Sequence, residues 1–558
     1  MSETLSRDEA AALQPADAGV SETEARARGA FRTYQSYCDE AERLAAAGDL
    51  RSAAVYAAIA AQSAVRPHAG FFRATRLERL LAKIGLATTA DTSYRRAYPL
   101  AHPIRKVLHV CTTVAPVGGL RNMLGHWIRL DTAHQHSIAL INHSGPVVET
   151  LTSAVAASGG RLHKINRVVG GYVEWAQELR RISESYDAVV LHVYSQDVTP
   201  ILAFADPRKR PPVMLLNHGD HLMWLGVSVS DVVINLRDAA QALSINRRGV
   251  EPRRNVMVPT IVAPQERKQT RQAAKQALGL DPDGVFLFSA ARPMKYRSVD
   301  GVSFADTHVE LLKRHPNAVF WVLGPGEPDD WREACDAVGG RMRGLAESPN
   351  TRPYFEAADI YVDSYPFVSS TSLMEAAGFG SPLVSRFYGP KEAEIFAINH
   401  PGLVGTVQNP STEAEYVKIL DELIDDPARR EALGAAAQAT VRDMHTPPGW
   451  LRFVAQAYEL AERLPPIDTE AWLASAEEEV FSYGEPDRRL YEVFGLEDEP
   501  VEFVKQYVRI LPFGQRMRLW SRLAGQGAFK SASESARHLL PEWLIQILKD
   551  RRLGSGFG

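Results

Sequence analysis

From Lys106 to Ser385 the chain keeps repeating one unit: a short, continuous apolar run, then a stretch of helical texture. The runs are Lys106–Cys111, Ser137–Ile141, Ala188–Val193, Val213–Leu216, Asp231–Ile234 and Val256–Val262, followed by Val285–Ala290, Ala318–Leu323, Asp359–Val362 and Pro382–Ser385. Strands that are apolar throughout, and do not alternate, are buried on both faces. With helices between them, this predicts parallel sheets covered on each side. The charged stretch Pro264–Gly279 separates the two sets. The fold class is therefore α/β, with two tandem doubly wound, Rossmann-like domains over 104–263 and 264–445. Such sheets bind ligands beyond the carboxyl ends of their strands, and two in tandem leave a cleft between them.

Both ends of the chain read as helical. After a polar, alanine-rich arm, Ser21 with Glu24 three residues on forms a capping-box pattern. A helix to about Leu50, the break Gly48-Asp49, and a second helix over Ser52–Val65 give a tetratricopeptide-like hairpin within a helical N-terminal domain, 1–103. Trp450–Leu464 predicts an amphipathic crossover helix within 446–465. The remainder, 466–558, reads as a helical extension with runs at Trp472–Phe481, Val501–Leu511 and Pro541–Lys549.

Composition narrows the function classes. The 63 Lys+Arg against 67 Asp+Glu leave a net charge of −4, so no global positive field exists to hold nucleic acid. Cys38, Cys111 and Cys335 are far apart in sequence, which offers neither a disulfide framework nor a cysteine-rich zinc site and suits a reducing compartment. No apolar run approaches the ~20 residues of a membrane span. Glu3, Asp8, Glu9 and Asp17 interrupt any secretory signal. The expectation is a cytoplasmic protein, with peripheral membrane contact left open.

Four clusters sit where strands end. Gly118-Gly119 follows the first strand and opens a helix, so backbone amides there can approach an anion closely. Asn217-His218-Gly219-Asp220-His221 follows the strand Val213–Leu216 and packs imidazoles and a carboxylate at the cleft edge, where one could take a proton from a hydroxyl. Arg292 and Lys295 follow the first strand of the second domain. Cations there suit a diphosphate, and their pull grows as a leaving phosphate gathers charge. Ser369, Ser370 and Thr371 open a helix with hydroxyls and amides for phosphate oxygens, and Glu375 one turn later could accept hydrogen bonds from ribose hydroxyls. Gly324-Pro325-Gly326 reads as a turn and Asp329-Asp330 as a solvated helix start. His109 and His192 read as core residues, and Trp450, Phe453 and Tyr458 as packing.

Over roughly 104–463 these features resemble the GT-B glycosyltransferases, in particular the family 4-like group. In that family a double-glycine turn contacts the donor, which implies this role for Gly118-Gly119. An Arg and a Lys hold the diphosphate, matched by Arg292 and Lys295. A loop and helix ending in Glu-Ala hold phosphate and ribose, matched by Ser370, Thr371, Glu375 and Ala376. A His/Asp site faces sugar and acceptor, matched by His218, Asp220 and His221. Many retaining members carry a glutamate eight positions before the second one. Here Phe367 stands there, which leaves retention or inversion open. The Tyr-Pro-Phe segment and the helical arm also resemble the protein O-GlcNAc transferase group.

The resemblance implies metal-independent transfer of a sugar from a nucleotide-diphosphate sugar, a co-substrate rather than a cofactor, to a hydroxyl of a protein, lipid or saccharide acceptor. Alternatives on the same architecture are a sugar-nucleotide epimerase and a non-catalytic scaffold. Homo-oligomers through the helical termini are a further expectation.

Overall fold

The computed structural model describes residues 21–88, 92, 94–115, 119–298, 303–447, 449–494 and 500–552. The first sheet comprises β1 (Lys106–Cys111), β2 (Gln135–Leu140), β3 (Leu162–Lys164), β4 (Ala188–His192), β5 (Val213–Asn217), β6 (Val232–Asn235) and β7 (Asn255–Met257), in the order β3-β2-β1-β4-β5-β6-β7. The second comprises β8 (Val285–Ala290), β9 (Ala318–Gly324), β10 (Met342–Ala346), β11 (Ile360–Val362) and β12 (Leu383–Val384), in the order β10-β9-β8-β11-β12. Every pairing between these strands is parallel. The strand order reverses between β1 and β4 in one sheet and between β8 and β11 in the other. Ligand crevices in open α/β sheets lie at these switch points.

Several local expectations change. The edge strands β3 and β10 had no apolar run to announce them. The run at Val256–Val262 contributes only Val256 and Met257 to the sheet, in the strand Asn255–Met257. The helical stretch from 413 to 445 is two helices, Glu413–Asp425 and Pro427–His445. Asp426 breaks it: its side chain accepts from Arg429 N at 2.9 Å, capping the second helix, whose first residue is Pro427.

The crossover helix Leu451–Arg463 returns to the first domain. Trp450, Val454, Ala457, Tyr458 and Ala461 pack with Val107, Trp127 and Val190. Trp450 donates its indole N–H to Pro259 O at 2.6 Å, so this large buried side chain has its polar atom satisfied.

The two helical ends, expected as separate units, form one body with the first domain. Ser21 does cap the helix Glu22–Ala46, accepting from Glu24 N at 3.2 Å. The alanine-rich helix Leu50–Val65 is buried almost all round. Small side chains let four neighbours approach it at once: the helices Glu22–Ala46, Thr75–Thr88, Tyr172–Ser183 and Pro500–Val508. Its core is continuous with Leu108, Val189, Val504, Val508 and Leu511. Glu78, from the helix Thr75–Thr88, accepts the amides of Gly226, Val227 and Ser228, and His68 pairs with Asp487 of the C-terminal part. Among the described residues no helix is long and apolar enough to cross a membrane.

Candidate active site

The second-domain crevice is built on Asp363, the residue after β11. It is buried and bends the following loop back on itself: Oδ1 accepts from Ser364 N and Ser369 N, each at 2.9 Å, and Oδ2 accepts from Ser385 Oγ at 2.7 Å. Burial pushes its carboxyl up to about 6. The folded loop presents the Val368 carbonyl, which accepts from Lys295 Nζ at 2.7 Å, and the Phe367 ring, 4.7 Å from the same ammonium. Lys295 arrives from the turn Pro293–Tyr296 after β8, so both switch-point loops meet at this cation. Burial lowers Lys295 to about 8, against the attraction of Asp363 and with further repulsion from Arg237 and Arg292.

Arg292 caps that turn and is exposed. Its loop lies hard against β9. A Cβ on Gly324, which has φ +125°, would stand 1.7 Å from Ala291 O. The glycine is therefore more than a turn former: it lets the Arg292 loop seat.

Ser369 is the N-cap of the helix Ser370–Gly378, with Ser370 and Thr371 in its first turn and Glu375 one turn on. Burial alone raises Glu375 to about 7. A Cβ on Gly119 would lie 3.7 Å from Thr371 Oγ1, so the glycine turn of the first domain faces this helix start across the cleft. Gly118 lies outside the described residues.

The His218–His221 loop reaches the same place from β5. His221 lies 5.2 Å from the Phe367 ring and close enough to Lys295 for charge to act between them. Asp220 is locked by a bidentate contact from Arg237, at 2.6 Å and 2.8 Å, and lies 3.2 Å from His221 Nδ1. These partners hold the Asp220 carboxyl well below its usual range despite burial, so it stays ionised. Burial lowers His218 to about 4 and also depresses His221. Arg248 fixes the loop from behind, donating to Asp220 O at 2.7 Å and Leu222 O at 2.6 Å.

Lys295, Asp220, His221, Gly119, Ser369 and Thr371 thus border one interdomain crevice. Arg292 stands at its exposed rim, and no ion pair joins Glu375 to Lys295 or Arg292 among the described residues. Four contributors were not foreseen. Arg237 follows β6 by two residues, so the same strand-end reasoning could have found it. It also donates to Ala397 O at 3.2 Å, bridging the domains. Asp363 and Phe367 lie just before the Ser369–Thr371 helix start, with roles only the fold reveals. His400 is buried among Arg237, Asp220 and Lys295, with no local sequence signal.

Residues 306–456 match the glycosyl transferase-like family model. The chain is similar to D-inositol 3-phosphate glycosyltransferase 1 of Catenulispora acidiphila, 27% identical over 180 residues, covering 30% of this chain and 42% of that protein. It is also similar to a lipopolysaccharide core biosynthesis glycosyltransferase of Rhizobium meliloti, 26% identical over 140 residues, covering 24% and 40%. The chain thus spans less than half the length of these relatives. Among solved structures, a Thermobaculum terrenum O-GlcNAc transferase aligns over 77% of this chain and 84% of its own, with TM-score 0.47 and 15% identity. A glycosyltransferase from Rickettsia africae aligns over 64% and 99%, with TM-score 0.48 and 11% identity.

Proposed function

We propose that this protein transfers a sugar from a nucleotide-diphosphate sugar to an acceptor hydroxyl. The observation that carries the reading is Lys295. It is a half-buried cation at the second sheet's switch point, faced across the cleft by the His218–His221 loop. The attraction of Asp363 does not offset the burial of this cation, so a ligand anion would relieve the remaining cost.

In this reading the diphosphate lies against Lys295 and Arg292, with the amides of Ser370 and Thr371 on its oxygens and Gly119 opposite. As the bond from the anomeric carbon to phosphate oxygen breaks, negative charge collects on the diphosphate, and the fixed cation and amides stabilise it more than they did the donor. These groups do the work a metal would otherwise do. Glu375 accepts from the ribose hydroxyls. Asp220 keeps to orienting: pinned by Arg237, it accepts a hydrogen bond from His221 Nδ1–H and leaves Nε2 as the basic nitrogen toward the acceptor. His218 lies beside the sugar.

The acceptor approaches over the first domain. A cavity of about 440 Å³ lies between Thr113, Asn142 and Ser144, beyond β1 and β2, and Glu502, Arg509 and Glu542 of the C-terminal helices. Its mixture of hydroxyl, amide and carboxylate groups supports a hydroxyl-rich acceptor. The names of the relatives, one an inositol 3-phosphate enzyme and one a lipopolysaccharide core enzyme, support the same class.

The test is product analysis after incubation with nucleotide sugars, with and without saccharide and polyol acceptors. Acceptor-dependent release of nucleoside diphosphate is the expected result. Sugar inversion without an acceptor would make the protein an epimerase, and binding without turnover would make it a scaffold.

A further inference from the structure

Three buried imidazoles cross the first sheet diagonally and end beside the candidate site. His136 on β2 lies opposite Val107, two residues before His109 on β1, and His192 on β4 lies opposite Cys111, two residues after it. Even offsets keep all three on one face, and the diagonal climbs toward the carboxyl ends of the strands. All three are fully buried. His136 Nδ1 is 3.0 Å from His109 Nε2, and His109 Nδ1 is 2.9 Å from His192 Nε2. At the far end His136 Nε2 lies 3.0 Å from Asp131 O and 3.4 Å from Asp131 Oδ2. Asp131 also bonds His134 and accepts from Tyr458, and Trp127 packs edge-on against His109 and His192.

This chain has a direction. A carbonyl oxygen only accepts, so His136 Nε2 carries a proton. With His136 neutral, its Nδ1 accepts from His109 Nε2, and His109 Nδ1 in turn accepts from His192 Nε2. The lone pair of His192 Nδ1 is left over. That atom is buried without a hydrogen-bond partner among the described residues, and so is His218 Nε2, whose charge acts on His192. His218 in turn sits within electrostatic reach of Asp220 and His221.

We propose that His192, His109 and His136 form a proton relay that drains the active site from His218 to Asp131. The proposal rests on the glycosyl-transfer reading for the source of the proton, the acceptor hydroxyl. The O–H bond breaks as the hydroxyl oxygen bonds the sugar, and the proton passes to the His218–His221 pair. His218 hands a proton to His192 Nδ1, directly or through one water. His192 passes its Nε2 proton to His109, and His109 passes its Nε2 proton to His136 Nδ1. The sequence ends with imidazolium at His136 against the Asp131 carboxylate, and each intermediate ring is neutral again in its other tautomer. His192, His109 and His136 touch no substrate in this account, so they are positioning and relay residues, not catalytic ones.

Two readouts test it on the full chain. In protein labelled with nitrogen-15 at histidine, His109 and His192 are expected as Nε2–H tautomers, and both are expected to switch when His136 is protonated. In turnover, His109→Gln keeps hydrogen bonding but interrupts the relay. It should lower kcat by about tenfold with donor KM unchanged, and should change the pH profile and the solvent deuterium isotope effect. Should His109→Gln melt far below wild type, Asp131→Asn takes its place, with the same expected loss. Unchanged turnover and isotope effect, or fixed Nδ1–H tautomers, would overturn the relay. If the wild type itself turns over no donor, the function reading fails while the tautomer spectra still judge the relay.

Discussion

Replacing Lys295 with Met should make the protein more stable and nearly inactive at the same time. Burial drops this lysine from its ordinary 10.5 to about 8. At about 1.36 kcal/mol per pH unit, holding it charged costs the fold about 3 kcal/mol. The sign follows from the direction: for a depressed base the penalty is complete below about 8 and fades as the pH rises toward 10.5. Methionine removes the penalty but strips the Val368 carbonyl of its donor, a loss of about 1–2 kcal/mol. A net gain of about 1–2 kcal/mol remains, or a rise in Tm of about 2–6 °C at neutral pH. Turnover should fall by about 10²–10³, the usual effect of deleting one preorganised donor to a developing anion. Differential scanning calorimetry and release of nucleoside diphosphate read the two quantities on one preparation. A lower Tm together with undiminished turnover would refute the idea that Lys295 is held under strain for a ligand.

Donor affinity should be greatest in a narrow window. Glu375 ionises above about 7 and Lys295 discharges above about 8, so binding by calorimetry should strengthen through the first and weaken through the second. Glu375→Gln should remove the acid limb alone. Gly324→Ala must displace Ala291 O and with it the Arg292 loop; donor KM should rise about tenfold or more, whereas Gly29→Ala, with open space at its Cβ and no left-handed φ, should leave it nearly unchanged. Arg237→Met strands the buried Asp220 carboxylate and severs the bridge to Ala397. The variant should lose about 3–5 kcal/mol of stability, measured by urea unfolding, and turnover with it. The proposed role of Lys295, Arg292 and the helix amides predicts that chelating agents leave turnover unchanged.

The sheets were legible because parallel strands buried on both faces leave unbroken apolar runs, such as Val213–Asn217 and Val285–Ala290. Two of the four edge strands carry no such mark: Met342–Ala346 alternates buried with exposed residues, and Leu162–Lys164 is only half-buried. The site was legible for a related reason. Parallel sheets place their strand ends together, so His218–His221, Lys295 and Ser369–Thr371 could be gathered before any contact was known. What sequence order conceals is pairing across the cleft. Nothing near Asp220 announces that Arg237 will claim it, and nothing near His400 announces a site at all. The helical ends hide their long-range packing for the same reason. The helix Leu50–Val65 looks like half of a local hairpin, yet its buried circumference is completed by residues more than four hundred positions away.

The most direct test of the central claim is a thermal-shift titration of the full chain, wild type and Lys295→Met, with a panel of nucleotide-diphosphate sugars. At about 100 times its dissociation constant a true donor should stabilise the wild type by about 2.7 kcal/mol and the variant far less. If no member of the panel stabilises the wild type, or if the variant responds equally, the crevice around Lys295 is not a diphosphate site.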